Sequence, residues 1–139
     1  MRTTRNFIAL GLIMVSMLGL AGFALAEGSF TSSITHALTG FESRRWTDRD
    51  ADNVSTSVQF DRCRNVNRGF TSATADVRLW RDISFSPDED RGSRFFDCGI
   101  SSTQYYGDQP AGDFYFELTR IDGFTSGGRL DVDFVRVGY

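Results

Sequence analysis

Apolar and polar positions alternate along much of the chain. Val54, Thr56, Val58 and Phe60 alternate with Ser55, Ser57, Gln59 and Asp61. A period of two is that of a strand with one face inward and one toward water. Ala73, Ala75, Val77 and Leu79 form a second apolar row, opposed by Thr74, Asp76, Arg78 and Trp80. Phe114, Phe116 and Leu118 form a third, opposed by Tyr115, Glu117 and Thr119. Leu130, Val132 and Phe134 start a fourth, but Val135 and Val137 then fall on the other parity. That switch predicts a bulge near Phe134 or a strand buried on both faces. Shorter strands are expected within 29–41 and 94–106. Turn signals separate the runs at Asn67-Arg68-Gly69, Gly107-Asp108-Gln109-Pro110 and Ser126-Gly127-Gly128, and residues 86–92 read as an acidic, mobile loop. Beyond the leader no helix stands out. The pattern predicts an all-β fold, a single antiparallel β-sandwich of Greek-key type.

The first 26 residues follow another rule. Arg2 and Arg5 precede an apolar run from Phe7 to Leu25, and Ala24-Leu25-Ala26 is a small-x-small cleavage site. This is the layout of a signal peptide. The run is also long enough to span a bilayer, which takes about 20 residues. Gly22, the cleavage site and the abrupt polar sequence at Glu27 favour removal. Residues 1–26 are therefore expected to be a cleaved leader, and residues 27–139 a single domain. That domain is expected to be secreted or held in the cell envelope, with no membrane span after cleavage. An outer-membrane barrel is disfavoured, because the outward rows carry Asp76, Arg78 and Glu117 where lipid would lie.

Export changes the reading of the two cysteines. In an oxidising compartment, Cys63 and Cys98 are expected to form one disulfide. Charge narrows the partners. The net charge is −3, and losing Arg2 and Arg5 with the leader makes it more negative. Nucleic acid needs a basic face and is not an expected partner. Every basic residue is Arg and none is Lys, which suggests a GC-rich bacterial genome.

Catalytic signals are sparse. His36 is the one histidine, and no Gly-x-Ser-x-Gly elbow accompanies it. A carboxylate pair for glycoside hydrolysis is compatible with 18 acids, but nothing singles one out. The expectation is a binding protein, not an enzyme.

Two constellations suggest what it binds. Asp48, Asp50 and Asp52, followed by Asn53, offer alternate oxygens in a tight loop, as calcium prefers. The acids fall at positions 1, 3 and 5 of an EF-hand loop. Asn53 replaces the usual Gly, Gln59 stands at position 12, and no helix flanks the loop, so this is not an EF-hand. The stretch Asp52-Asn53-Val54-Ser55-Thr56-Ser57 resembles the calcium-loop signature of βγ-crystallin domains over six residues. It departs from it at Ser55, where that family places an apolar residue. The resemblance implies calcium as the candidate cofactor.

The second constellation is aromatic. Trp46 and Trp80 sit among Arg and Asp, and Tyr105 and Tyr106 precede a Gly-Asp-Gln-Pro turn. Flat rings beside hydrogen-bonding side chains suit a sugar-binding surface. The function expected is that of a small exported β-sandwich binding protein, stabilised by calcium, for an extracellular glycan or protein. The alternatives are a self-assembling structural subunit acting as a homo-oligomer, and a small secreted toxin or antimicrobial protein.

Overall fold

The computed structural model describes residues 26–139, so the leader up to Leu25 lies outside the described residues. Nine strands fill the described part: β1 (Ser29–Ala37), β2 (Trp46–Asp48), β3 (Ser57–Asn65), β4 (Thr71–Ser72), β5 (Thr74–Asp82), β6 (Glu89–Asp97), β7 (Ser101–Tyr105), β8 (Gly112–Ile121) and β9 (Leu130–Gly138). They form two antiparallel sheets. One has the order β1-β9-β3, with β4 and β7 both on the far edge of β3; the other is β2-β8-β5-β6. No described helix is long and apolar enough to cross a membrane.

The apolar rows explain the layering. Ala75, Val77 and Leu79 of β5 and Phe114, Phe116 and Leu118 of β8 are buried, as are Val58 and Phe60 of β3 and Val135 and Val137 of β9. These rows meet in one core. Phe60 packs on Phe96 and on Phe116, with ring centroids 4.8 and 5.5 Å apart, joining the sheets at the centre. Aromatic pairs at such distances stabilise a core beyond the area they bury. Cys63 of β3 and Cys98, just past β6, form the expected disulfide across the two sheets.

A register shift against β1 falls where the bulge is expected, between the pairs Ser32–Val135 and Ile34–Val132 that bracket Phe134. β3 switches parity together with β9: Val58 and Phe60 point inward before the switch, Cys63 and Asn65 after it. The register between β3 and β9 is continuous through the change, with Phe60 opposite Val135 and Cys63 opposite Val132. Both strands turn over together, at an Arg62 with φ 54°. The irregularity is passed to β1, whose register against β9 shifts on either side of Ile34.

The expected mobile loop is shorter than its composition implied. Glu89 to Gly92 already belong to β6. Asp88 ties the remainder down, accepting from the Ile83 N–H at 3.1 Å and the Tyr115 hydroxyl at 2.6 Å.

Connections divide between two poles. Ala37, Leu130, Asn65 and Thr71 lie together at one end, through the pairs Ala37–Leu130, Asn65–Leu130 and Asn65–Thr71. Ile121 and Asp97 join the same end through β5. Four loops cross between the sheets here. The loops 49–56, 83–88 and 106–111 lie at the other end.

Candidate functional site

The outer face of the β2-β8-β5-β6 sheet carries the most developed surface. On β5, the row opposite the core is Asp76, Arg78 and Trp80. Cross-strand pairing sets Trp80 beside Tyr115 and Arg78 beside Glu117 on β8, and Asp76 beside Arg120. On the other flank Asp76 pairs with Phe95 of β6. A register shift between Arg78 and Trp80 against β6 breaks the flat ladder at that point. The result is a groove of about 700 Å³ lined by Asp76, Arg78, Trp80, Phe95, Glu117 and Arg120, among others.

The groove side chains are held in place. The Trp80 indole N–H donates to Glu117 Oε2 at 2.7 Å, which fixes the ring. Arg78 lies over the Trp80 ring at 5.6 Å, a cation–π distance. Its Nη1 reaches Asp90 at 3.5 Å, while its buried Nε has no acceptor. Arg120 pairs with Asp76 at 3.6 Å. Phe95 is 58% exposed, so the groove has one anchored ring and one free ring. Arg78 and Arg120 are paired with Asp90 and Asp76, while Arg94 has no ion pair among the described residues.

The four aromatic residues expected to bind ligand do not form one surface. Trp46 is buried between Phe30, Phe114 and Tyr139, with centroids 5.7, 6.3 and 6.1 Å away. Arg45 and Thr47 on either side of it are exposed while the ring points in. Tyr106 is buried too; its hydroxyl donates to the Val77 carbonyl at 2.9 Å. Both are core residues. Tyr105 is exposed, but on the outer face of the opposite sheet, in a groove with Gln59, Thr103 and Arg136. Only Trp80 remains from that set in the groove described above.

The acidic loop also departs from expectation. Among the described residues no three acidic, His or Cys side chains are grouped as a metal centre requires. Asp48 and Asp52 each turn one carboxylate oxygen to the local backbone, while the buried Oδ2 of Asp52 has no partner. Asp48 is buried and accepts from the Asp50 N–H at 2.9 Å, and Asp52 accepts from the Val54 N–H at 2.7 Å. These are turn-forming bonds of Asx type, which aim the carboxylates at their own backbone. Burial, and then the neighbouring Glu27 carboxyl, push the Asp48 carboxyl up to about 6. Glu27 shifts downward, chiefly because the Arg49 N–H donates to it.

Sequence alternation had placed Asp76, Arg78, Trp80, Glu117 and Thr119 on polar faces. It gave no sign that the two rows were neighbours. Phe95 and Arg120 had no local signal at all, since each joins the groove through pairing with a distant strand.

The chain matches no known family model and no curated protein. The groove must therefore be read from its own chemistry. His36, the one histidine, stands half-exposed on the edge strand β1 beside Asp131, far in the pairing order from the groove.

Proposed function

We propose that this is an exported, non-catalytic glycan-binding domain whose ligand face is the outer surface of β8, β5 and β6. The strand orders β1-β9-β3-β7 and β2-β8-β5-β6 support a jelly-roll β-sandwich, two interleaved Greek keys. Such a scaffold presents a broad sheet face as a binding surface. The observation that carries the reading is the anchored Trp80 with its ring of polar partners. A sugar needs an aromatic plate for its apolar face and fixed donors and acceptors for its hydroxyls. Trp80 and Phe95 supply the first; Arg78, Glu117, Asp76 and Arg120 supply the second. Arg94, without an ion pair among the described residues, favours a glycan that carries carboxylates, which the guanidinium fork recognises well.

Binding is favoured over catalysis because both groove acids are already engaged. Glu117 holds Trp80, and Asp76 holds Arg120. The export leader and the disulfide fit a role outside the cytoplasm.

A panel of immobilised polysaccharides, neutral and uronate-containing, tests the proposal. The protein should be retained by the acidic polymers. Trp80→Ala should weaken retention by about tenfold or more, as loss of a buried aromatic contact does. Arg62→Gln, on the other sheet, should bind nearly as well as the parent. Equal retention of the parent and Trp80→Ala would remove the groove from consideration.

A further inference from the structure

The outer face of the opposite sheet carries a hollow that the groove does not use. Register builds it in two rows across β7, β3, β9 and β1. Ser57 stands between Tyr105 and Gly138, and Gly138 stands beside Ser29. In the next row Gln59 stands between Thr103 and Arg136. Their strand neighbours Val58, Phe60 and Val137 are buried, so these rows face away from the core. The first row is low at its centre, where serine and glycine meet. It is tall at its end, where Tyr105 is 61% exposed. A Cβ on Gly138 would come 3.1 Å from Ser57 Oγ, so the side chain that this glycine lacks would fill the same face. The space left is about 520 Å³.

Arg136 is the cation of the hollow, exposed and without an ion pair among the described residues. The acids of that face are engaged elsewhere. Asp61 accepts from Gln59 Nε2 at 2.9 Å and from the Ser101 hydroxyl at 2.6 Å. Asp133 is held by Arg62 and Arg64, and Asp131 accepts from the His36 N–H at 2.6 Å. Glu27, beside the rim, accepts from the Arg49 N–H. None of these four acids lines the hollow. A guanidinium without a carboxylate, beside a free ring and the hydroxyls of Ser57 and Thr103, suits a flat ring that bears a carboxylate.

The groove on β8, β5 and β6 offers the same set: an aromatic plate, hydroxyls, and Arg94 without an ion pair. The two sheets pack about 10 Å apart, and their outer faces point opposite ways. One straight stretch of ligand cannot lie on both. We propose, building on the glycan reading above, that the Tyr105–Arg136 hollow is a second site for a uronate-bearing glycan, and that the protein cross-links acidic polysaccharide chains. Two sites fixed back to back join two chains, and they hold a polymer more firmly than either site alone.

Light scattering with soluble polygalacturonate, run beside retention on the same polymer immobilised, tests this. The parent should be retained. Its mixture with soluble polymer should turn turbid, most strongly at an intermediate ratio, and should clear in excess polymer. Arg136→Gln should still be retained through the groove but should lose the turbidity. Gly138→Val, which fills the hollow without changing charge, should do the same. A retained parent that stays clear at every ratio overturns the second site and leaves the groove standing. So does turbidity undiminished in both variants, which would trace the cross-linking to association between copies. A parent that is not retained overturns the groove reading and the cross-linking with it. Should Gly138→Val melt far below the parent, Arg136→Gln, altered at an exposed side chain, decides alone.

Discussion

Asp48 shows how one residue can be misread from its neighbours. In sequence it starts an alternating acidic run; in space its carboxyl is buried, bonded to the Asp50 N–H and crowded by Glu27. Its affinity for a proton is raised, to about 6, so folding favours the protonated form. The stability this gives is fully present below the ordinary carboxyl value and is lost as pH rises through about 6. Asp48→Asn should therefore melt higher than the parent at pH 7.5, by about 1–2 kcal/mol after allowing for solvent screening of exposed Glu27, and equal to it at pH 4. Melting curves across that pH range check the sign. A parent that gains stability between pH 4 and pH 6 relative to Asp48→Asn would contradict it. Trp46 makes the same point for aromatics: Arg44, Arg45, Thr47 and Asp48 surround it in sequence, yet its ring fills the core.

At the scale of elements, what could be read locally was read. The row Ala73, Ala75, Val77 and Leu79 is buried throughout, as its alternation requires. The same holds for Phe114, Phe116 and Leu118. Elements fixed by distant partners were missed. β2 is three residues in a charged segment, and it is a strand because Trp46, Thr47 and Asp48 pair with Phe114, Asp113 and Gly112 of β8. The joint turnover of β3 and β9 could not be found in either strand alone. The groove follows the same division: Trp80 was visible from its own strand, whereas Phe95 and Arg120 enter through register with β6 and β8. The disulfide belongs to this scale too, since it ties β3 to the end of β6 over a separation of 35 residues. Cys63→Ala with Cys98→Ala should lower the unfolding free energy by about 4 kcal/mol on the chain-entropy model. Urea titration of the two proteins measures it, and a loss below about 1 kcal/mol would mean that the sheets hold each other without the bond.

Across the whole molecule, the surface work falls to the two outer sheet faces. The acidic loop gathers no metal-binding group among the described residues. Millimolar calcium should accordingly leave the melting temperature unchanged against EDTA; a rise of several degrees would restore the loop as a calcium site. The flank groove remains as the place where a partner gains most. The groove carries the central claim, and intrinsic fluorescence reads it directly, because Trp46 is sealed in the core and Trp80 lines the groove. The decisive measurement is a fluorescence titration of the parent and Trp80→Phe with soluble uronate-containing oligosaccharides. A saturable change in the parent that disappears in Trp80→Phe is the predicted result. No change with any glycan, or the same change in both proteins, would contradict the account.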